Sequence, residues 1–225
     1  MTELEDRIID MPVVENESKN DYAKTTGYYF LKRAVDILFS AIGIIVLSPV
    51  MLVVAVAIKL DSRGPAIFSQ IRVGLNGKPF KMYKFRSMVD DAEDLLDKLR
   101  DRNEMTGPMF KIKEDPRVTR IGRFIRKTSI DELPQLFNVI KGEMSLVGPR
   151  PNLPREVVKF TRHQRIKLLV KPGLTCYWQV MGRSNIDFDG WMKLDLKYIE
   201  DRSTIVDLKL IFQTFKVFFG DDGAE

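Results

Sequence analysis

ILFSAIGIIVLSPVMLVVAVAI, residues 37–58, decides the architecture. It is an uncharged run framed by Lys32 and Arg33 before it and by Lys59, Asp61 and Arg63 after it. An apolar run of this length is read as membrane-embedded. Two features set it apart from a plain span. Ser48-Pro49 lies near its centre, where proline removes a backbone donor and bends a helix. Positive charge borders both ends, so the charge asymmetry that orients a span gives no direction. The run is therefore expected to form a re-entrant helix-break-helix that enters the bilayer, bends at Ser48-Pro49 and returns to the same face. Ser48 would satisfy backbone groups freed at the bend. The competing reading is a buried core helix, which a domain of this size seldom encloses at such length.

Outward from this run the chain changes character. Its 225 residues are 44% hydrophobic and 30% charged, enough for one domain with a core. The net charge of +5 and pI of about 9.2 point to an anionic partner: nucleic acid, a phospholipid surface or a phosphorylated substrate. A single cysteine, Cys176, excludes an internal disulfide and a cysteine metal cluster. A single histidine, His163, excludes a multi-histidine zinc site. Chemistry must rest on carboxylates, arginines and lysines. Residues 1–27 read as a disordered acidic tail, 28–63 as the re-entrant anchor and 64–225 as the domain that follows it.

Beyond the anchor, β-type segments at 67–73 and 79–85 flank Asn76-Gly77, the signature of a hairpin. Residues 89–101 read as a surface helix with a narrow apolar stripe, and 106–117 as a loop. Helices are expected over 118–127, 131–141, 154–170 and 188–200, with a strand over 175–180. Residues 205–219 have helical spacing and a phenylalanine-rich face suited to the lipid interface, with Phe212, Phe215 and Phe219 outward. A core helix of the domain fits that spacing equally. The fold class is α+β, mainly helical: the re-entrant element, a small hairpin and surface-lying amphipathic helices.

Three segments could carry chemistry. Arg120, Arg123 and Lys127 share one helical face, read either as a phosphate-binding wall or as a solvated surface. Ser129-Ile-Asp131-Glu132 follows. A carboxylate there could attack phosphorus, and its neighbour could hold Mg²⁺. The same spacing is that of a capping box, in which both acids simply begin a helix. Gly148-Pro-Arg150-Pro151 fixes an arginine between two rigid residues, preorganised for phosphate or merely a turn. Upstream, Lys84 and Arg86 alternate with Tyr83 and Phe85. Basic residues interleaved with aromatics also occur in single-stranded nucleic-acid binders. His163 is expected to be exposed and Cys176 to be a small core residue.

The order of these motifs resembles the bacterial sugar transferases, the monotopic polyprenyl-phosphate phosphoglycosyl transferases. The matching pieces are Lys32-Arg33-x-x-Asp36, Ser48-Pro49, Tyr83–Met88, Asp115–Gly122, Asp131–Val139, Lys141–Ser145, Val147–Pro151 and Lys171–Leu174. The resemblance implies that Asp131 attacks the phosphorus bearing the sugar of a UDP-sugar and releases UMP. Polyprenyl (undecaprenyl) phosphate then takes the sugar phosphate. Glu132 would bind Mg²⁺, and Lys84, Arg126 and Arg150 would contact phosphates or support the site. Lys32, Arg33 and Asp36 would lie at the lipid headgroups, with Ser48 and Pro49 at the bend.

On this reading the enzyme sits at the bacterial cytoplasmic membrane with its catalytic domain on the cytoplasmic face. It would begin polysaccharide or glycoconjugate assembly. Its partners are a UDP-sugar, polyprenyl phosphate and membrane lipid. Nucleic acid is not among them, and a homo-oligomer is compatible with the sequence. Larger members carry extra spans and a further domain before this core, and residues 89–114 look like an insertion. The alternative is a membrane-tethered binding protein for anionic lipid or nucleic acid, which leaves the acids amid arginines unexplained.

Overall fold

A computed structural model describes residues 22–104, 107–108, 110, 112–181 and 186–220. The first helix, α1 (Thr26–Asp61), begins where Thr25 Oγ1 accepts the Tyr28 N–H at 3.3 Å. It runs without interruption through Pro49, so the expected break is not seen as an end to the helix. The reason is local. Proline at 49 removes the N–H that would reach the Ile45 carbonyl, and Ser48 Oγ donates to that same carbonyl at 2.8 Å. The most apolar window of α1 has a mean hydropathy of 2.8 and is only 11% buried. Ile45, Val46, Leu52, Val53 and Leu60 stand exposed along it. A contiguous apolar surface on this scale is the reverse of a core helix and marks association with a membrane.

Both ends of α1 rest on the domain that follows. Near its start, Asp36 and Ser40 are buried, and a Cβ placed on Gly43 would stand 3.3 Å from Leu136. Near its end, Val54 and Ile58 pack with Phe85 and Ile125. Asp61 accepts the Ile121 N–H at 3.1 Å, and Arg86 donates to the carbonyls of Ser62, at 2.8 Å, and Arg63.

The hairpin forms as expected. β1 (Ile67–Val73) pairs antiparallel with β2 (Pro79–Phe85), from Ile67 opposite Phe85 to Val73 opposite Pro79. Asn76 and Gly77 take positive φ at the turn. α2 (Arg120–Lys127) is capped by Thr119, whose Oγ1 accepts the Gly122 N–H at 3.0 Å. α3 is Gln135–Lys141, and β3 (Ser145–Val147) pairs in parallel with β4 (Gly173–Thr175). Here two motifs meet. A Cβ on Gly173 would lie 2.0 Å from the Gly148 N, so these backbones touch only because both residues are glycine.

α4 (Pro154–Val157), α5 (Tyr177–Met181), α6 (Phe188–Asp201) and α7 (Thr204–Gly220) complete the domain. Its core joins Val147, Cys176, Trp178, Tyr198, Leu210 and Ile211. Cys176 is buried and His163 exposed, both as expected.

Four segments differ from expectation. The helix expected over 131–141 begins only at Gln135, behind a 3₁₀ turn at Ile130–Glu132. Residues 89–101 form turns and a 3₁₀ helix over Asp97–Arg102, not an α-helix. Asp90 and Asp94, and Glu93 and Asp97, would be like-charge pairs one helical turn apart, and among the side chains described on that stretch Ala92 alone is buried. The expected helix over 154–170 is divided into α4 and a 3₁₀ helix at Gln164–Leu169. The division falls at a reciprocal cap: Thr161 N–H donates to Gln164 Oε1 at 2.9 Å and Gln164 N–H to Thr161 Oγ1 at 3.3 Å. The expected strand over 175–180 ends at Thr175, and α5 follows. Short apolar runs fit either element. On α7, Phe212 is 63% exposed while Leu210 and Ile211 are buried. The side chains of Phe215 and Phe219 fall outside the described residues.

Candidate active site

Lys84 stands at the end of β2, and Asn138 on α3 fixes that strand. Asn138 is fully buried. Its Oδ1 accepts the Tyr83 N–H at 3.0 Å, while its Nδ2 donates to Lys81 O at 2.7 Å and to Glu143 Oε2 at 2.6 Å. The Lys84 ammonium is thereby aimed at the two acids. Its Nζ lies 2.7 Å from Glu132 Oε1 and 3.8 Å from Asp131 Oδ2.

The acids occupy a 3₁₀ turn, Ile130–Glu132, entered through Ser129 at φ 52°. That left-handed conformation is uncommon for serine. Ser129 makes no side-chain cap, so the capping-box reading of Ser129 and Glu132 is not realised. Asp131 is buried. Burial raises its carboxyl above the ordinary aspartate range; Lys84 opposes the rise and Glu132 adds to it. Burial works to raise Glu132 as well, but Lys84 and then Arg150 hold it below its ordinary value. Two adjacent carboxylates with their affinities driven apart can take different roles.

Arg150 completes the cationic side. Its guanidinium lies 5.2 Å from the Trp178 ring and 5.6 Å from the Trp191 ring. It lines one cavity with Arg72, Lys84, Glu132, Gln135 and Pro151. Sequence reasoning found Lys84, Asp131, Glu132 and Arg150, and the structure brings these four together. Arg126 stays exposed and acts on Asp131 through its charge rather than through a contact. Arg120, Arg123 and Lys127 are a solvated face, not a wall of the cavity.

Lys32, Arg33 and Asp36 have a different task from the expected one at the headgroups. Lys32 Nζ donates to Val147 O and to Asp207 Oδ2, both at 2.9 Å. Arg33 donates to Val139 O at 2.6 Å and Ile140 O at 2.7 Å. Asp36 accepts from Ser145 Oγ at 3.0 Å and from the Leu146 N–H at 2.9 Å. They are hooks that fasten α1 to the domain. Asn138, Arg72, Trp178 and Trp191 were missed by the sequence reading. The aromatic pair carried no signal beyond its type.

Among the described residues, no group of three or more His, Cys, Asp or Glu side chains is arranged to hold a metal. Asp131 and Glu132 stand as a pair, outside any such group. The donor set fits Mg²⁺, which commonly binds through one or two carboxylates and completes its shell with phosphate and water.

An exposed apolar helix clamped onto a basic domain, with a buried and a half-buried acid facing convergent cations, defines a membrane-associated protein with a site suited to anions. The chain belongs to the bacterial sugar transferase family, whose model matches residues 27–221. It is 51% identical to the galactosyl transferase CpsE of Streptococcus agalactiae, over 88% of this chain and 44% of that protein. It is 43% identical to the undecaprenyl-phosphate galactose phosphotransferase of Salmonella typhimurium, over 92% of this chain and 44% of that protein. The exopolysaccharide production protein ExoY of Sinorhizobium fredii is 37% identical, over 81% of this chain and 83% of its own length. The chain thus spans less than half of the first two relatives and most of the third.

Proposed function

We propose that the chain is a phosphoglycosyl transferase that moves a sugar 1-phosphate from a UDP-sugar to polyprenyl phosphate, through a covalent aspartyl intermediate. The observation that carries this reading is the pair of buried Asp131 and half-buried Glu132 sharing Lys84 beside the Arg150 cavity. An Asp131 Oδ attacks the sugar-bearing phosphorus. A P–O bond to Asp131 forms, the bridging P–O bond breaks, and its electron pair departs on UMP. An oxygen of the polyprenyl phosphate then attacks the same phosphorus and releases Asp131. Lys84 and Arg150 hold the phosphate oxygens and offset charge developing on them. Glu132, with the substrate's phosphates, would hold Mg²⁺, which supplies charge neutralisation and orientation of those phosphates.

In this reading residues 28–63 are the anchor and 64–225 the catalytic domain, lying on the cytoplasmic face with α1 dipping into the bilayer. Because the domain grips α1 near both ends, it favours an entry and an exit on one side. The lipid acceptor then meets the site at headgroup level, and only the nucleotide sugar arrives by diffusion. The name of the ExoY relative, an exopolysaccharide production protein, supports a role in exopolysaccharide production, in which transfer to the lipid would be the first membrane step.

The test uses detergent-solubilised protein, Mg²⁺ and sugar-labelled UDP-galactose without lipid acceptor, then a panel of other UDP-sugars. The wild type should release UMP and keep the label on the chain, and polyprenyl phosphate should remove it. Asp131→Asn should do neither. Asp131→Glu should be nearly inactive, since an added methylene displaces the attacking oxygen. A folded Asp131→Asn protein that retains label would end the covalent mechanism.

A further inference from the structure

Arg72, on β1, has no part in the reading above, yet it lines the same cavity as Lys84, Glu132 and Arg150. Its Nη1 donates to Pro151 O at 3.1 Å and its Nη2 to Gln70 Oε1 at 2.8 Å, which fixes the plane of the guanidinium. Its Nε is buried without a hydrogen-bond partner. Among the described residues it forms no ion pair with a carboxylate within 4.0 Å. Two arginines, Arg72 and Arg150, therefore share one cavity whose carboxylate lining, Glu132, is already bonded to Lys84. Burial first, and then the charge of Arg150, lower the Arg72 guanidinium to about 10. Packing two cations together at such a cost is the mark of a place made for an anion.

We propose that Arg72, together with Arg150, binds the phosphate that stays with the departing nucleotide. This rests on the transferase reading and extends it to the second phosphate of the donor. Lys84 lies within 4.0 Å of both acids, whereas among the described residues Arg72 lies within that distance of neither, which sets Arg72 farther than Lys84 from the attacking carboxylate. In an in-line displacement the leaving oxygen departs on the side away from the nucleophile. Lys84, touching both acids, serves the attacked phosphorus. Arg72 serves the leaving phosphate, which gains a negative charge as the bridging bond breaks and the electron pair moves onto its oxygen.

The test is binding of UMP and of uridine to the full chain in detergent, measured by ligand-observed NMR without donor sugar or lipid. Wild type should prefer UMP to uridine. Arg72→Gln should lower that preference about tenfold or more, the scale of a lost hydrogen bond to a charged group, with uridine binding unchanged. Arg72→Lys should fall between the two. If Arg72→Gln does not fold, Arg72→Lys carries the test. Wild-type preference in the folded variant overturns the assignment. So does an equal loss for UMP and uridine, which would make Arg72 a brace for Pro151 alone. A wild-type protein that binds no UMP overturns the transferase reading along with it, whereas UMP binding that ignores Arg72 overturns only this inference.

Discussion

Replacing Asn138 should separate the hairpin from α3 and take Lys84 with it. The side chain is fully buried and makes three hydrogen bonds, to the Tyr83 N–H, Lys81 O and Glu143 Oε2. Asn138→Ala removes all three at about 1 kcal/mol net each, and orphans backbone groups of β2 at about 1–3 kcal/mol apiece where water does not enter. The expected loss is on the order of 3–5 kcal/mol, a large share of a typical domain's stability. Asn138→Asp is the sharper variant because it keeps the shape. It still accepts from Tyr83, but it turns the donating amide into a carboxylate oxygen facing Lys81 O at 2.7 Å and Glu143 Oε2 at 2.6 Å. Asp should therefore be worse than Ala at neutral pH, and the gap should narrow on acidification as the new carboxyl takes a proton. Thermal unfolding followed by circular dichroism in mild detergent, from pH 5 to 8, measures both. An Asn138→Asp protein as stable as wild type, or an alanine variant that loses less than about 1 kcal/mol, would refute this account of how Lys84 is aimed.

As the proposed nucleophile, Asp131 would have to be ionised to attack, and burial raises its carboxyl. The rate of label transfer to the chain should fall on acidification with a midpoint above the ordinary aspartate range; a midpoint at or below that range counts against Asp131 as the nucleophile. The same shift has a stability sign. A raised carboxyl contributes stability below its unfolded pKa and loses it as pH rises through the folded value, so Asp131→Asn should match or exceed the wild-type melting temperature at pH 7.5. A melting temperature several degrees lower would contradict that. Lys167 and Asp195 form a buried pair at 2.6 Å. Lys167→Met should cost about 3–5 kcal/mol by stranding Asp195, and adding Asp195→Leu should recover most of it in a double-mutant cycle. Cysteines placed at Ala23 and Arg63, beyond the two ends of α1, should react with a membrane-impermeant reagent from the same side in vesicles; labelling from opposite sides would exclude a re-entrant anchor.

The sequence exposed what depends on local chemistry. The uncharged run at 37–58, the Asn-Gly hairpin and α6 all follow from periodicity and turn residues a few positions apart. Asp131, Glu132 and Arg150 stood out because acids amid rigid, basic segments are unusual, Lys84 entered through the family resemblance, and the four converge. What stayed hidden depends on partners distant in the chain. Whether Arg33 reaches a headgroup or folds back is decided by the Val139 and Ile140 carbonyls, more than a hundred positions away. Asn138 looks like any helix asparagine until β2 is laid beside it. Ser129 and Glu132 have the spacing of a capping box, but the positive φ at Ser129 turns the acids toward Lys84 instead. One missed signal was available: Thr161 and Gln164 do have capping-box spacing, and there the box forms.

Anchor and active site are built as one object. Ile130 and Leu133, the residues on either side of Asp131-Glu132, pack into the cluster made by Val54 and Ile58 of α1 with Phe85 and Ile125. The acid pair is thus fastened to the apolar helix by its immediate neighbours. Fully burying side chains of this kind contributes roughly 1.5–3 kcal/mol each. At its other end α1 is hooked by Arg33 to the last carbonyls of α3, the helix whose Asn138 aligns Lys84. The depth at which α1 sits in the bilayer therefore sets the height of both carboxylates and of Lys84 above the headgroups. A soluble domain on a flexible tether would have to find the phosphate of a lipid by search. On the proposed function, the contacts that hold the helix would also fix the distance from the membrane surface to the reacting groups.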